Sequence, residues 1–220
     1  MKIVERSVEV LTKTSYEDMI GLVEDAGRNC YQSYNKMSEG SAEKLIRQFV
    51  KVNHGSPLEF ADIAVRICGD RSLMGQITRH RLSSFCIESA RYNNYASDKF
   101  DGEVSFILPA DIKEGTEAFK LWYSGCAESE FYYKELISQG VKPETARSVL
   151  PMSLATHIVM KANVREWRHI FKLRLDKRAQ KDIRIVMMVC LKKMYDKYPV
   201  FFEDIYADYY KIGFHLTYTV

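Results

Sequence analysis

Within sixteen residues the chain places Gln76, Arg79, His80, Arg81, Ser84, Glu88, Ser89 and Arg91. Guanidinium groups are flat forks that donate to phosphate or carboxylate oxygens in pairs, and neighbouring hydroxyls and backbone N–H groups complete a cradle for a small anion. Between Arg71 and Arg91 only Glu88 is acidic, which tilts the reading from a solvated charged loop towards an anion site. His80 on its own reads as a surface or structural histidine rather than a catalytic one. Ser83, Ser84 and Ser89 lie outside any G-x-S-x-G elbow, so they read as hydrogen-bonding groups and not as hydrolase nucleophiles. For Cys86 two readings stand open: a thiolate favoured by the basic run, or a small buried filler.

A second basic cluster is Arg147, Asn163, Arg165, Arg168, His169, Arg174 and Arg178. Arg165, His169 and the region of Lys172 share a helical face by spacing. An exposed face balanced by Glu166, Asp176 and Asp182 would explain the cluster equally well. Two basic clusters in one nearly neutral chain favour a single anionic site assembled from both, within a subunit or across an interface. There is no G-x-x-x-x-G-K-[ST] and no G-x-G-x-x-G after a strand, so any nucleotide must be held by side chains. Phe85, Tyr92, Tyr95 and Trp167 are placed to stack on a ring or to fill the core. No Cys or His near His80 has metal-ligand spacing.

The elements that must position these groups follow from periodicity. Val4 to Leu11 reads as a first strand, and Ser15 caps a helix running to about Cys30. A helix starts at Ser41 and stops by Gly55-Ser56-Pro57. Phe60–Ile67 alternates as a half-buried strand. Asp70 caps a helix to about Thr78, after which the basic run reads as irregular chain. Val104–Leu108 reads as a short strand and 114–139 as a long helix ending at Gly140. Pro143 opens a brief helix to Leu150, and Thr156–Asn163 is a strand. Helices follow over 165–174, 177–197 and 201–211. The strands are few and partly adjacent, which predicts an α+β fold rather than a doubly wound parallel sheet. With no linker or repeat, residues 1–220 read as a single domain.

Composition narrows the function classes. Lys and Arg number 32 against 29 acids, a net charge of +3, too small for a general polyanion binder. Gly and Pro, 11 and 5 of 220 residues, exclude a disordered or collagen-like chain. Five dispersed cysteines without a Cys-x-x-Cys pair favour a reducing compartment over a disulfide framework. No run of 18 uncharged apolar residues and no signal peptide are apparent, so the expected location is cytoplasmic, without membrane or nucleic-acid partners.

The residues also carry a specific resemblance. Arg79-His80-Arg81, seven residues, then Ser89 resembles the R-H-R-x7-S motif of the flavin-dependent thymidylate synthases. The similarity continues through His54-Gly55-Ser56-Pro57-Leu58-Glu59, Arg91-Tyr92, Arg147-Ser148-Val149-Leu150-Pro151, Asn163-Val164-Arg165-Glu166-Trp167-Arg168-His169, Leu173-Arg174 and Ala179-Gln180. It spans essentially the whole chain. The resemblance implies a twisted, mainly antiparallel sheet flanked by helices and a homotetramer with active sites shared between subunits. It implies synthesis of dTMP from dUMP, with methylenetetrahydrofolate as one-carbon donor and NADPH as reductant through FAD. Gln76, Arg79, Glu88, Ser89, Ala90, Arg91, Arg147 and Arg174 would bind dUMP. Arg174 would also be catalytic, stabilising negative charge on the pyrimidine so that carbon 5 becomes nucleophilic. Ser56, Arg79, His80, Arg81, Asn163, Arg165 and His169 would hold FAD. No metal is implied.

One departure stands out. Where many members carry Asn-Glu this chain has Cys86-Ile87, and the acid appears one residue later as Glu88. Its contacts are then either made by backbone groups or reached from the shifted position. The competing readings are a flavoprotein of this fold with altered activity and a small nucleic-acid-binding domain.

Overall fold

The computed structural model describes residues 1–211, so the expected single domain over 1–220 reaches beyond the described residues. Six strands and eight helices are defined among them: β1 (Lys2–Ile3), β2 (Ser7–Val10), α1 (Tyr16–Tyr31), α2 (Ser41–Lys51), β3 (Asp62–Asp70), α3 (Arg71–Ile77), β4 (Ser83–Ile87), β5 (Ser105–Phe106), α4 (Glu117–Ser138), α5 (Pro143–Ala146), β6 (Ala155–Asn163), α6 (Val164–Arg174), α7 (Lys181–Lys197) and α8 (Glu203–Lys211). The fold is α+β. A mostly antiparallel four-stranded sheet runs in the order β2-β3-β6-β4, and β1 pairs with β5 in parallel.

The chain forms two compact units, each gathered from three segments. The first holds Met1–Ser7, Ile67–Arg79 and Cys86–Ile158, and the second holds Val8–Arg66, His80–Phe85 and the described residues from Val159 to 211. Strands β3, β4 and β6 each run from one unit into the other.

Local chemistry sets the element ends. Ser15 caps α1 by accepting from the Asp18 N–H at 3.0 Å, Asp70 caps α3 by accepting from Leu73 at 2.6 Å, and Thr116 caps α4 by accepting from Phe119 at 3.2 Å, each satisfying an otherwise orphaned helix donor. Gly140 ends the stretch after α4 at φ +81°, a conformation that glycine adopts without strain. In the second unit α1 packs on α2 through Gly27, where a Cβ would stand 2.3 Å from Phe49 Cζ.

Each unit has its own core. Tyr95, Val104, Phe106, Cys126, Tyr133 and Leu154 form that of the first. In the second, Ile63 and Val65 of β3 and Met160 and Ala162 of β6 point inward in alternation beside Trp167 and Phe171 of α6, as the period-two pattern requires. Trp167 stacks on Phe171 with centroids 5.7 Å apart, and its Nε1–H donates to the Ile63 carbonyl at 2.9 Å.

Among the boundaries that differ from the sequence-based expectation, including the helix expected to Leu150 that ends at Ala146, four bear on the site and its supports. The basic run after α3 is not all irregular, because Ser83–Ile87 forms edge strand β4. Neither of its faces is fully buried, so it shows no apolar alternation, and the pairing comes from β6. The expected first strand is two short ones, β1 and β2, and the expected strand over 104–108 shrinks to Ser105–Phe106. The helix expected from 177 starts at Lys181 because the Asp176 carboxylate accepts from the Arg178 N–H at 2.9 Å and from its guanidinium at 2.8 and 2.9 Å, holding those residues in a local turn.

Candidate functional site

In the first unit, α3 carries Gln76 and the chain then exposes Arg79. Glu88 follows β4 and is engaged on both carboxylate oxygens. Oε2 accepts from the His157 backbone N–H at 3.1 Å and lies 2.9 Å from its Nδ1, while Oε1 accepts from the Tyr95 hydroxyl at 3.0 Å. The Glu88 N–H donates to the His157 carbonyl at 2.8 Å. Glu88 is therefore a strut that fixes the start of the Ser89-Ala90-Arg91 turn. Burial, with Glu88 alongside, pushes the Tyr95 hydroxyl well above its ordinary pKa, so it remains a donor.

The turn presents Arg91 on the surface. Ala90 is buried, and Ser89 Oγ accepts from the Arg91 N–H at 3.3 Å. Arg91 Nε donates to Glu144 Oε2 at 2.7 Å, and Arg147 Nε donates to the Glu144 carbonyl at 3.2 Å. The Glu144 carboxyl is held below the usual carboxylate range by Arg91 above all, with Lys142 and Arg147 adding to it. Two arginines far apart in sequence thus meet at one residue, Arg91 on the Glu144 carboxylate and Arg147 on its main-chain carbonyl.

In the second unit the positioning element is α6. Asn163 Oδ1 caps it by accepting from the Glu166 N–H at 2.8 Å. Asn163, expected among flavin-holding residues, has its side-chain oxygen engaged in this cap. Arg165 Nη1 pairs with Glu59 Oε1 at 2.5 Å, and its stem lies against Gly55, where a Cβ would stand 2.8 Å from Nε. Only glycine permits so close an approach. Arg168 is committed elsewhere, donating to Asp204 at 2.8 and 2.6 Å and to the Phe201 carbonyl at 2.6 Å. Ser56 and Arg81 are exposed.

Arg174, the last residue of α6, is half-buried, and burial lowers its pKa from the ordinary arginine value. Its Nε–H donates to Nε2 of His80 at 2.8 Å. His80 is buried, and burial first, then the charges of Arg174 and His169, take its pKa down to about 4. Glu166 Oε1 lies 3.6 Å from His80 Nδ1, and burial raises the Glu166 carboxyl above its usual range.

A cavity of about 510 Å³ opens in this unit, lined by Asn53, Gly55, Arg165, His169, Lys172 and Tyr209 among others. Its volume is within the roughly 300–1,000 Å³ of small-molecule sites. Arg165, His169 and Lys172 offer donors for a diphosphate, and Gly55 brings backbone close to Arg165, so the residues present fit a dinucleotide cofactor such as FAD. Among the described residues no group of three His, Cys, Asp or Glu gathers to hold a metal, and no helix is long and apolar enough to cross a membrane.

The predicted residues thus fall into two sets. Gln76, Arg79, Glu88, Ser89, Ala90, Arg91 and Arg147 belong to the first unit; Ser56, His80, Arg81, Asn163, Arg165, His169 and Arg174 belong to the second. Sequence reasoning passed over Glu144 and read Glu166 only as a balancing charge. The first stands three residues before Arg147 on one helical turn, and the second completes an N-cap pattern with Asn163, and both spacings were available as signals.

A family model described as thymidylate synthase complementing protein matches residues 9–200. The flavin-dependent thymidylate synthase of Pyrococcus furiosus is 37% identical over 164 residues, 74% of this chain and 66% of that protein. The chain belongs to the flavin-dependent thymidylate synthase family. The family's enzyme from Corynebacterium glutamicum is 31% identical over 214 residues, 89% of this chain and 83% of that one. A UMP/dUMP methylase, PolB from Streptomyces cacaoi, solved with 5-Br dUMP, shares the fold at a TM-score of 0.75 and 23% identity, covering 94% of this chain and 97% of that chain. The names of these relatives describe flavin-dependent thymidylate synthesis, and that of the structural neighbour methylation of UMP or dUMP.

Proposed function

We propose that this protein methylates dUMP reductively to dTMP, taking the one-carbon unit from methylenetetrahydrofolate, in the cytoplasm and as a homotetramer. The chain would work as one catalytic domain. The observation that carries this reading is that Arg91 and Arg147 both engage Glu144, Arg91 its carboxylate and Arg147 its main-chain carbonyl, while Ser89 Oγ accepts from the Arg91 N–H. A dianionic 5′-phosphate needs more than one cation, and here two arginines are held at one residue, one of them on its carboxylate.

In this reading Arg91, Arg147, Ser89 and the backbone of Ala90 take the phosphate, and Gln76 and Arg79 extend the nucleotide site. Glu88 contributes by fixing the turn. Arg174 meets the uracil carbonyl edge, where a guanidinium already in place stabilises the charge that develops as carbon 5 becomes nucleophilic. Arg79, Arg81, Arg165, His169 and Ser56 hold FAD, with Asn163 supporting them through the cap of α6. When bound, FAD supplies the reducing equivalents that turn the transferred carbon into a methyl group. An unassisted serine hydroxyl is a weak nucleophile, so Ser89 is a binding group.

The test starts from the visible spectrum of purified protein before and after incubation with FAD and desalting. A retained flavin spectrum that bleaches anaerobically with NADPH, followed by dTMP formation from dUMP and methylenetetrahydrofolate, supports the proposal. Retained flavin without dTMP would point to altered chemistry, and no flavin even with dUMP present would defeat the assignment. Light scattering should give four times the 25.6 kDa of one chain.

A further inference from the structure

The cavity assigned to the flavin cofactor has two walls of opposite charge, and the following inference rests on that assignment. Along α6, Arg165, His169 and Lys172 share a face by spacings of four and three, and along α8, Asp204 and Asp208 share one by a spacing of four. All five line the cavity. The cationic wall suits phosphate oxygens. A carboxylate on the other wall must answer a different part of the same ligand, because one anion repels another.

α8 is held in place by groups other than these. Phe201 and Phe202, just before it, are buried. In its first turn Glu203 accepts from Arg47 of α2 at 2.8 and 3.3 Å, and the two oxygens of Asp204 accept from Arg168 of α6 at 2.8 and 2.6 Å. The Arg168–Asp204 pair therefore ties α6 to α8 directly. Four residues further along each helix stand Lys172 and Asp208, which repeat the same two charges. These two do not close on each other. They form no ion pair, and neither side chain has a hydrogen-bond partner among the described residues. Both are exposed. The two helices are thus joined by one charge pair and keep the next pair open inside the lining of a cavity of about 510 Å³.

We propose that Lys172 and Asp208 form a two-point slot for a phosphorylated polyol, Lys172 donating to a phosphate oxygen and Asp208 accepting from hydroxyls of the attached sugar. A carboxylate accepts but does not donate, so it favours hydroxyl groups over phosphate oxygens. An acidic side chain reads the ribose hydroxyl of dinucleotides in the same way on other folds. FAD carries this chemistry twice, as the ribityl phosphate of its flavin half and the ribose phosphate of its adenosine half. Asp208 is then a specificity residue, selecting phosphates joined to a sugar over bare ones.

Calorimetric titration of the full chain freed of flavin tests this with four probes: pyrophosphate, FMN, ADP and FAD. Asp208→Ala should weaken FAD by about tenfold, the scale of losing hydrogen bonds to a charged group. Pyrophosphate has no sugar hydroxyl, so the same substitution should leave its affinity unchanged or raise it, since a nearby anion is gone. Weakening of FMN alongside FAD would place the ribityl phosphate in the slot, and weakening of ADP alongside FAD the adenosine phosphate; either supports the inference. Asp208→Asn keeps one acceptor oxygen and should lose less than Asp208→Ala. Lys172→Gln should weaken all four probes.

The sign of the effect decides. Were Asp208 only a solvated charge near an anion site, its removal would tighten FAD as it tightens pyrophosphate, and that result overturns the inference. Equal affinities of parent and Asp208→Ala for FAD, FMN and ADP overturn it too. A parent protein that binds none of these three removes the assignment of the cavity itself, a different failure. Pyrophosphate binding by each Asp208 variant also shows that the basic wall is intact, so a folding defect is told apart from a lost contact.

Discussion

Two arginines carry the residue-scale argument, and they differ in what surrounds them. Arg174 is half-buried against His80, so its donors act where water screens little. Arg174→Ala should cut turnover by about two orders of magnitude, the scale of removing one preorganised electrostatic donor, with FAD absorbance preserved. Steady-state kinetics beside a spectrum decides it, and equal loss of both would turn Arg174 into a cofactor residue. Arg91 instead is exposed and holds Glu144. If that carboxylate occupies the phosphate position, Glu144→Gln should tighten dUMP binding a few-fold, because the nucleotide no longer displaces an internal anion. Calorimetric titration showing weaker binding would take Arg91 out of the phosphate site.

At the scale of elements, α6 is the organiser, since Arg165, Glu166, His169 and Arg174 all project from it. Its start is fixed by Asn163. Asn163→Ala should cost about 1 kcal/mol of stability and Asn163→Ser much less, as for other helix caps, read out as a shift in denaturation midpoint. The capping residues Ser15 and Asp70, the alternation of β3 and β6 and the long helix ending before Gly140 were legible in the sequence, because local spacing alone fixes them. Strand β4 was not legible: an edge strand with two part-exposed faces has no apolar period and takes its form from β6. Likewise the arginines were visible as a basic set, but the side chains they meet, Glu144 for Arg91 and His80 for Arg174, lie 53 and 94 residues away in sequence. Asn163 and Glu88 were read as binding residues, and in the structure both side chains accept from backbone N–H groups, of Glu166 and His157, a role that residue type and spacing do not separate from ligand binding.

For the molecule as a whole, the buried imidazole sets an acid limit. His80 has a pKa of about 4 in the fold against an ordinary 6.5. Between those values the unfolded chain binds the extra proton and the native state does not, so stability falls as pH drops below 6.5 and the loss is complete below about 4. At 1.36 kcal/mol per pKa unit the loss is on the order of 3 kcal/mol. Thermal melts of the parent should therefore fall more steeply from pH 7 to pH 4 than those of His80→Gln, which has no proton to gain. Parallel curves would mean that His80 titrates normally.

Cys86 offers a practical handle. Of the five thiols only Cys30 and Cys86 are exposed, while Cys68, Cys126 and Cys190 are buried. Cys86 stands on β4 three residues before Ser89, at a position where the family resemblance leads one to expect asparagine. This chain therefore comes with a native labelling point beside the turn proposed to take the nucleotide. Once Cys30 is replaced, an environment-sensitive maleimide dye would watch the turn in real time, turning a departure from the family pattern into a reporter of ligand arrival.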